Sequence, residues 1–439
     1  MNRNFDIIVV GAGPAGMAAA CVAAERGKRV AIVDDNFGYG GQIWRGERPT
    51  RTKGSSDSPA YWFQRLRSSD SITQFFQCRV YGAPATGVLR AEQGGECIEL
   101  GYERFILATG ARERFLPFPG WVLPNVMGAG GLQAMVRSGL PIQDKRVVVA
   151  GSGPLLLAVA AYLREHGANV VAICEQAPWS SLARFAVGIT ANPSKLMQAL
   201  HYGSKTFSIP FRAGWWPVAA HGETKLQSVV MSNGTKQREL PCDYLACSFH
   251  LVPNIELAML FGCRIDGGFV AVDSLQRTSI DTIFCAGEPT GIGGLELSLL
   301  EGQIAGLASA GDQAGAKILA RRRSKMLRFA VGLSRTFALR SELKSLPQPD
   351  TIVCRCEDVP SELISQHTSW RSAKLHTRCG MGPCQGRICG TALEFLKGWN
   401  VDSVRPPIFP VQMTSLAACS KNFTHHTTNT QETPCSGTA

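Results

Sequence analysis

The stretch FDIIVVGAGPAGMAAACVAA, residues 5–24, decides the fold. It reads as a strand over Ile7–Val10, a glycine turn, and a helix running to about Arg26. The turn fits G-x-G-x-x-G, with Gly11, Gly13, Pro14, Ala15 and Gly16 in sequence. Gly11 permits the tight turn, Gly13 lets the backbone approach a pyrophosphate, and Gly16 lets helix and strand pack closely. The helix N-terminus then offers unpaired N–H groups and the positive end of its dipole to phosphates. A second strand at Val30–Val33 ends on Asp34, where such a unit needs an acid to hold a ribose. Strand, turn, helix and acid together predict a dinucleotide-binding domain. The Gly-Pro interruption early in the run argues against a bilayer span, which needs about 20 apolar residues in one continuous helix.

A weaker echo of the unit begins at Lys145 and runs to Glu175. Gly151-Ser152-Gly153-Pro154-Leu155-Leu156 starts like the first motif but ends in leucine, so the helix should stand off from its strand. Gly151, Gly153 and Glu175 make a candidate second nucleotide site, with NAD(P) as its candidate occupant, and no arginine follows Glu175 closely to meet a 2′-phosphate. Between the two units, GERPTRTKGSSDSP reads as a mobile loop, and Asn233-Gly234 as a hairpin turn.

Three further segments, Gly40-Gly41-Gln42, Ala108-Thr109-Gly110 and Ala286-Gly287-Glu288, follow the first motif in order. They resemble the remaining flavin-site segments of two-dinucleotide-domain flavoproteins. The resemblance covers about residues 5–320 and implies FAD held by Gly11, Gly13, Pro14, Ala15, Gly16, Asp34, Gly41, Gln42, Thr109, Gly110, Gly287 and Glu288. The last acid is usually aspartate, so Glu288 is a departure. Disulfide reduction, which many such flavoproteins perform, is excluded. QIWRGERP stands where one branch of them carries its cysteine pair, and the chain has no C-x-x-C. Cys242 and Cys247 read as packing residues, since strand alternation would turn them to opposite faces. His201, His250 and Trp215-Trp216 read as structural, leaving no catalytic base in view.

The 439 residues suit about three domains. Only 18% are charged, and the net charge is +11. Much of that excess lies in Arg321, Arg322, Arg323, Lys325, Arg328, Arg335, Arg340 and Lys344, with Glu342 the single acid among them. This stretch reads as a basic helix with a solvated or docking face. No nucleic-acid-binding signature accompanies it, and at most a peripheral membrane contact is implied. No signal-peptide pattern is seen, so the expected location is cytoplasmic.

Five of the 15 cysteines fall between Cys354 and Cys389. Cys354-x-Cys356 and Cys384-x4-Cys389 offer four thiolates, and Cys379 is an alternative ligand. Soft thiolates favour iron–sulfur or zinc, and the C-x-C start is less usual for structural zinc. A Rieske centre needs two histidine ligands, and no Cys-x-His occurs. VCRCEDV with TRCGMGPCQGRIC resembles the bacterioferritin-associated-ferredoxin-like [2Fe–2S] module, which ordinarily ends C-x2-C rather than C-x4-C.

GGQIWR, GARERFLPFPGW, GAGGLQAMVRSGL and AGEPTGIGG extend the likeness to nearly the whole chain. In combination with the module they resemble the α subunits of bacterial heteromeric amino-acid dehydrogenases, a group that includes the opine oxidase A subunit, proline and hydroxyproline dehydrogenase relatives and the hydrogen cyanide synthase B subunit. The fold class expected is α/β: a two-dinucleotide-binding-domain, Rossmann-like flavoprotein with a small C-terminal [2Fe–2S] module. Expected boundaries are 1–115 with 245–320 for FAD, 116–244 for the second nucleotide-like domain, 321–349 for the basic connector, 350–419 for the cysteine module and 420–439 for a disordered tail. The resemblance implies an electron-transfer subunit serving a D-amino-acid-oxidase-like, FAD-dependent β subunit, with or without a small ferredoxin-like subunit. A self-contained NAD(P)H-dependent reductase, a hydrogen cyanide synthase subunit and a zinc-bearing scaffold are the competing expectations.

Overall fold

A computed structural model describes residues 3–46, 57–190, 193–401 and 404–420. The first strand spans Asn4–Val10 and lies parallel between Val30–Val33 and Glu96–Leu107. Ile72–Phe75 extends the sheet on one side, and Ile283–Cys285 joins Glu96–Leu107 in parallel. Strands in such a sheet are covered on both faces, which is why Val30–Val33 is apolar throughout and wholly buried. An antiparallel ribbon, Cys78–Ala85 with Val88–Gln93, completes this sheet.

The helix Pro14–Ala24 is buried along its whole length against the helix Leu295–Ala310. A Cβ on Gly302 would fall 2.1 Å from Ala15 O, and one on Gly306 2.5 Å from Ala19 O. The two backbones touch, and only alanine and glycine fit between them. The apolar run that resembles a membrane span is thus the central helix of a packed layer.

The second sheet is wholly parallel, in the order Phe211–Ala213, Asn169–Glu175, Arg146–Ser152, Tyr244–Phe249, Val126–Met127. Its fourth strand corrects the expected boundary at 245. Tyr244–Phe249 is a near-continuous apolar run because it is an internal strand of this sheet, so the chain returns to the first domain only after Phe249. It does so through Leu251–Pro253, which pairs antiparallel with Ala111–Glu113. Asn233-Gly234 does form the hairpin turn, with Asn233 Oδ1 accepting from the N–H groups of Thr235 and Lys236. Cys242 and Cys247 are free, buried packing residues. They share one core rather than facing apart, because Cys242 precedes the strand.

The basic helix begins earlier than expected, at Gln313, where the Asp312 side chain caps Gly315 N–H, and it stops at Thr336. Arg340 and Lys344 lie beyond it, because the chain from Phe337 is held by side chains of the second domain. The cysteine module packs the strand Ile352–Cys354 and the helices Trp370–Thr377 and Cys389–Lys397 around Val353, Val359, Ile364, Trp370 and Leu393. It ends well short of 419. Ile408 N–H donates to Tyr81 O, and Ser415 Oγ donates to Glu92 Oε1, so residues 404–420 dock on the antiparallel ribbon of the first domain. Residues 47–56 of the expected mobile loop and 421–439 of the expected tail lie outside the described residues.

Candidate functional site

The first glycine motif sits where the first sheet's strands end. Gly11 has φ +105°, and a Cβ there would lie 2.1 Å from Ala108 O. One on Gly16 would lie 1.7 Å from Gly11 O, and one on Gly41 (φ +59°) 2.9 Å from Gly13 Cα. Three of the predicted segments therefore meet at bare backbone. Asp34 is buried, and its Oδ2 accepts from Ala12 N–H at 2.6 Å while Oδ1 accepts from Asn36 N–H at 2.8 Å. Pro14 and Ala15 are buried in the first turn of the helix, and Gln42 is exposed.

The fourth segment closes the site. Gly287 (φ +82°) packs on Ala15, where a Cβ would stand 2.9 Å from Ala15 Cβ. Glu288 Oε1 accepts from Gly294 N–H at 3.0 Å, whereas its Oε2 is buried near Gly293 and Ser298 with no well-formed hydrogen bond among the described residues. Burial, with Glu301 nearby, pushes the Glu288 carboxyl up to about 7. An under-satisfied acceptor beside a cradle that no Cβ could share fits a hydroxyl-bearing ligand such as the ribityl chain of FAD.

One charge beneath this site was not legible as functional. Glu301 is 1% exposed, on a helix buried nearly all round, and Arg323 of the basic helix reaches it at 2.7 Å. Its other oxygen accepts from Gly287 N–H at 2.9 Å and from Thr290 Oγ1 at 2.8 Å. LELSLLEGQIAGLASA carries two acids, Glu296 and Glu301, and the available signal was that the second sits in the middle of an otherwise apolar helix, since a buried charge needs a partner.

At the second motif, Gly151 (φ +130°) is left-handed as Gly11 is, but Gly153 (φ +107°) departs from Gly13 (φ −74°), so the turn differs, and Glu175 accepts from Gly153 N–H at 2.7 Å and Ala177 N–H at 2.8 Å. Burial pushes the Glu175 carboxyl up to about 7. Ligands of open α/β sheets lie outside the carboxyl ends of the strands. Here that position holds the chain itself. Ser152 Oγ donates to Phe337 O at 3.0 Å, and Gln176 Nε2 donates to Ala338 O at 3.2 Å. The Arg340 guanidinium stacks over Trp216 at 4.4 Å.

The cysteine module presents a cavity of about 190 Å³ lined by Cys354, Cys356, Cys384 and Cys389 with Phe115, Trp121, Arg355 and Ile388. Cys356 Sγ and Cys384 Sγ are 3.8 Å apart. Cys379 is not in the lining, but its sulfur and those of Cys354 and Cys389 lie within 4.8 Å of one another, all buried. No other such trio of metal-ligating atoms occurs among the described residues. Gly380 N–H donates to Cys354 Sγ at 3.5 Å. Thiols of Cys379 and Cys389 donating to Cys354 hold it well below its ordinary value, at about 2, and push Cys379 up to about 12.

A polar network joins the two sites. Thr109 Oγ1 donates to Asn254 O at 2.6 Å, and Arg112 Nη1 donates to Asn254 Oδ1 at 2.6 Å. Arg112 also pairs with Glu256 at 2.9 Å and donates from Nε to the carbonyl of Arg387, which lies between Cys384 and Cys389. Arg387 itself approaches Glu256 at 3.6 Å. Of the residues set aside as structural, His201 is exposed, Trp216 is buried, and burial together with Arg114 holds the His250 imidazole below its usual value.

Residues 5–314 match the family described as pyridine nucleotide-disulphide oxidoreductase. The chain is 30% identical to hydrogen cyanide synthase subunit HcnB of Pseudomonas protegens, over 96% of this chain and 100% of that one. It is 30% identical to the opine oxidase A subunit of Rhizobium meliloti, over 94% of this chain and 98% of that one. Among solved structures, L-proline dehydrogenase from P. horikoshii superposes with a TM-score of 0.65 at 20% identity, covering 94% of this chain and 79% of the other, which speaks to the fold.

Proposed function

The chain belongs to the pyridine nucleotide-disulphide oxidoreductase family and is an FAD-dependent oxidoreductase, and from that premise we propose that it is the electron-transfer subunit of a heteromeric amino-acid or opine (amine) dehydrogenase. One observation carries the proposal: a four-cysteine cavity bonded through Arg387, Arg112 and Asn254 to Thr109 of the flavin site. When bound, FAD supplies exchange of electrons in pairs or singly, and a [2Fe–2S] cluster supplies single-electron transfer.

The residues then have distinct tasks. Gly11, Gly13, Gly16 and Gly41 would give FAD backbone access, Asp34 and Glu288 would hold its hydroxyl groups, and Thr109 and Gly110 would complete its site beside Asn254. Cys354, Cys356, Cys384 and Cys389 hold the cluster. The 3.8 Å between Cys356 and Cys384 is the separation that a tetrahedral metal with bonds of about 2.3 Å requires. The remaining thiols form a separate group, which supports a two-metal cluster over a single zinc ion.

Asp34, Glu288 and Glu301 are bonded to backbone N–H groups, and none is placed as a substrate base. Substrate oxidation therefore falls to a D-amino-acid-oxidase-like β subunit, with room in the scheme for a small ferredoxin-like subunit. Similar identity to HcnB and to the opine oxidase A subunit supports a multi-subunit complex and gives the substrate only as an amine class. Among the described residues no helix is long and apolar enough to cross a membrane.

The purified chain alone is expected to bind flavin and iron without turning over amines, and co-expression with its β subunit to restore turnover. Rapid oxidation of an opine or imino acid by the chain alone overturns the proposal. A self-contained NAD(P)H reductase needs an open second site, and residues 337–340 lie across it. Anaerobic NADH should therefore leave the bound flavin oxidised; fast bleaching would favour that rival.

A further inference from the structure

Resting on the cluster reading above, we propose that Cys379 is a reserve ligand, able to replace Cys389 so that either of two four-thiolate sets holds the centre.

The five sulfurs are not equivalent. Cys356 and Cys384 form one pair at 3.8 Å, near the exposed side of the cavity. Cys354 faces two candidates on the inner side, because Cys379 and Cys389 both lie within 4.8 Å of it and of each other. A tetrahedral metal with bonds near 2.3 Å asks for about 3.8 Å between ligands, so each candidate is within about 1 Å of the required separation. The sequence carries the same symmetry, since Cys379-x4-Cys384 and Cys384-x4-Cys389 have equal spacing.

The backbone around both candidates is fixed. A Cβ on Gly380 would strike Trp370 at 2.6 Å, and one on Gly386 would meet the same ring at 2.9 Å, so the loop is pressed onto the indole. Cys389 begins the helix Cys389–Lys397. Exchange therefore needs side-chain rotation of the two cysteines, with no loop movement. In the exchange the metal–sulfur bond to Cys389 breaks and one to Cys379 forms. The Cys379 thiol gives up its proton, the released Cys389 thiolate takes one, and the iron oxidation state is unchanged. Both sulfurs are buried, at 0% and 1% exposure, so water does not compete for the vacated position.

The test uses the full chain, with iron, acid-labile sulfide, FAD content and the electron paramagnetic resonance spectrum of the reduced protein as readouts. Wild type should hold iron, sulfide and FAD. Cys379→Ala should match it. Cys389→Ala should keep wild-type iron and sulfide with an altered spectrum, and the double variant should lose the cluster at least tenfold while keeping FAD. Loss of the cluster in Cys389→Ala, with or without FAD, shows that Cys379 cannot serve and overturns the inference. Loss in Cys379→Ala makes Cys379 an obligate ligand and also overturns it, as does retention in the double variant. Absence of iron and sulfide from wild type would instead overturn the cluster reading itself, and the inference with it.

Discussion

Replacing Arg323 with alanine should cost the protein more than any other single change to the basic helix. Arg323 meets Glu301 at 2.7 Å, with side-chain exposures of 13% and 1%. Removing one partner of a buried pair leaves the other charge uncompensated, at a cost of about 3–5 kcal/mol. At about 2–4 °C per kcal/mol for domains of this size, the melting temperature should fall by roughly 6–20 °C. Because Glu301 also holds Gly287 N–H and Thr290 Oγ1, FAD content should fall together with stability.

The pH dependence has a definite sign. Burial raises the Glu301 carboxyl and Arg323 pulls it back, so without Arg323 it rises further. A carboxyl raised in the folded state contributes stability below its ordinary range, and that contribution is lost as pH rises through the folded value. The deficit of Arg323→Ala should thus be largest under alkaline conditions and shrink on acidification. Combining Glu301→Gln with Arg323→Met removes both charges and should recover at least half of the loss. Calorimetric melting with flavin quantitation checks all three expectations. An unchanged melting temperature, or a deficit that grows on acidification, refutes the reasoning.

Two further outcomes are expected. Gly16→Ala places a Cβ 1.7 Å from Gly11 O, so the purified variant should retain less than about a tenth of wild-type FAD with its far-ultraviolet circular dichroism intact; stoichiometric flavin would count against the site. Glu175 is pushed up to about 7 by burial, so stability should fall as pH rises from about 5 to 8, by at most about 3 kcal/mol from this group. Glu175→Gln should flatten that profile while lowering stability by about 1–3 kcal/mol through a mismatched buried N–H, and an unaltered profile would show that Glu175 does not cause it.

The first domain was readable because its signal is local. A tight turn against bare backbone admits only glycine, and Gly11, Gly16 and Gly41 stand where the chain touches itself. The thiol set was readable as residues but not as groups, because spacing along the chain says nothing about which sulfurs meet; the grouping of Cys379 with Cys354 and Cys389 depends on the pressed loop under Trp370. The boundary at 245 failed for a related reason. An apolar strand such as YLACSF suits either parallel sheet, and only pairing with Arg146–Ser152 assigns it. Least legible were contacts between distant segments, such as Arg323 with Glu301 or Ser152 with Phe337. Arg323 looks like one more charge in a basic helix, and Ser152 like an ordinary residue between two glycines.

The most direct test of electron transfer between flavin and cluster is an anaerobic reductive titration of the purified chain, followed by absorbance and electron paramagnetic resonance. The account predicts uptake of about three electrons per chain, two by flavin and one by a [2Fe–2S] centre. A chain that takes up only the flavin's two electrons, with zinc or no metal on its cysteines, would contradict it.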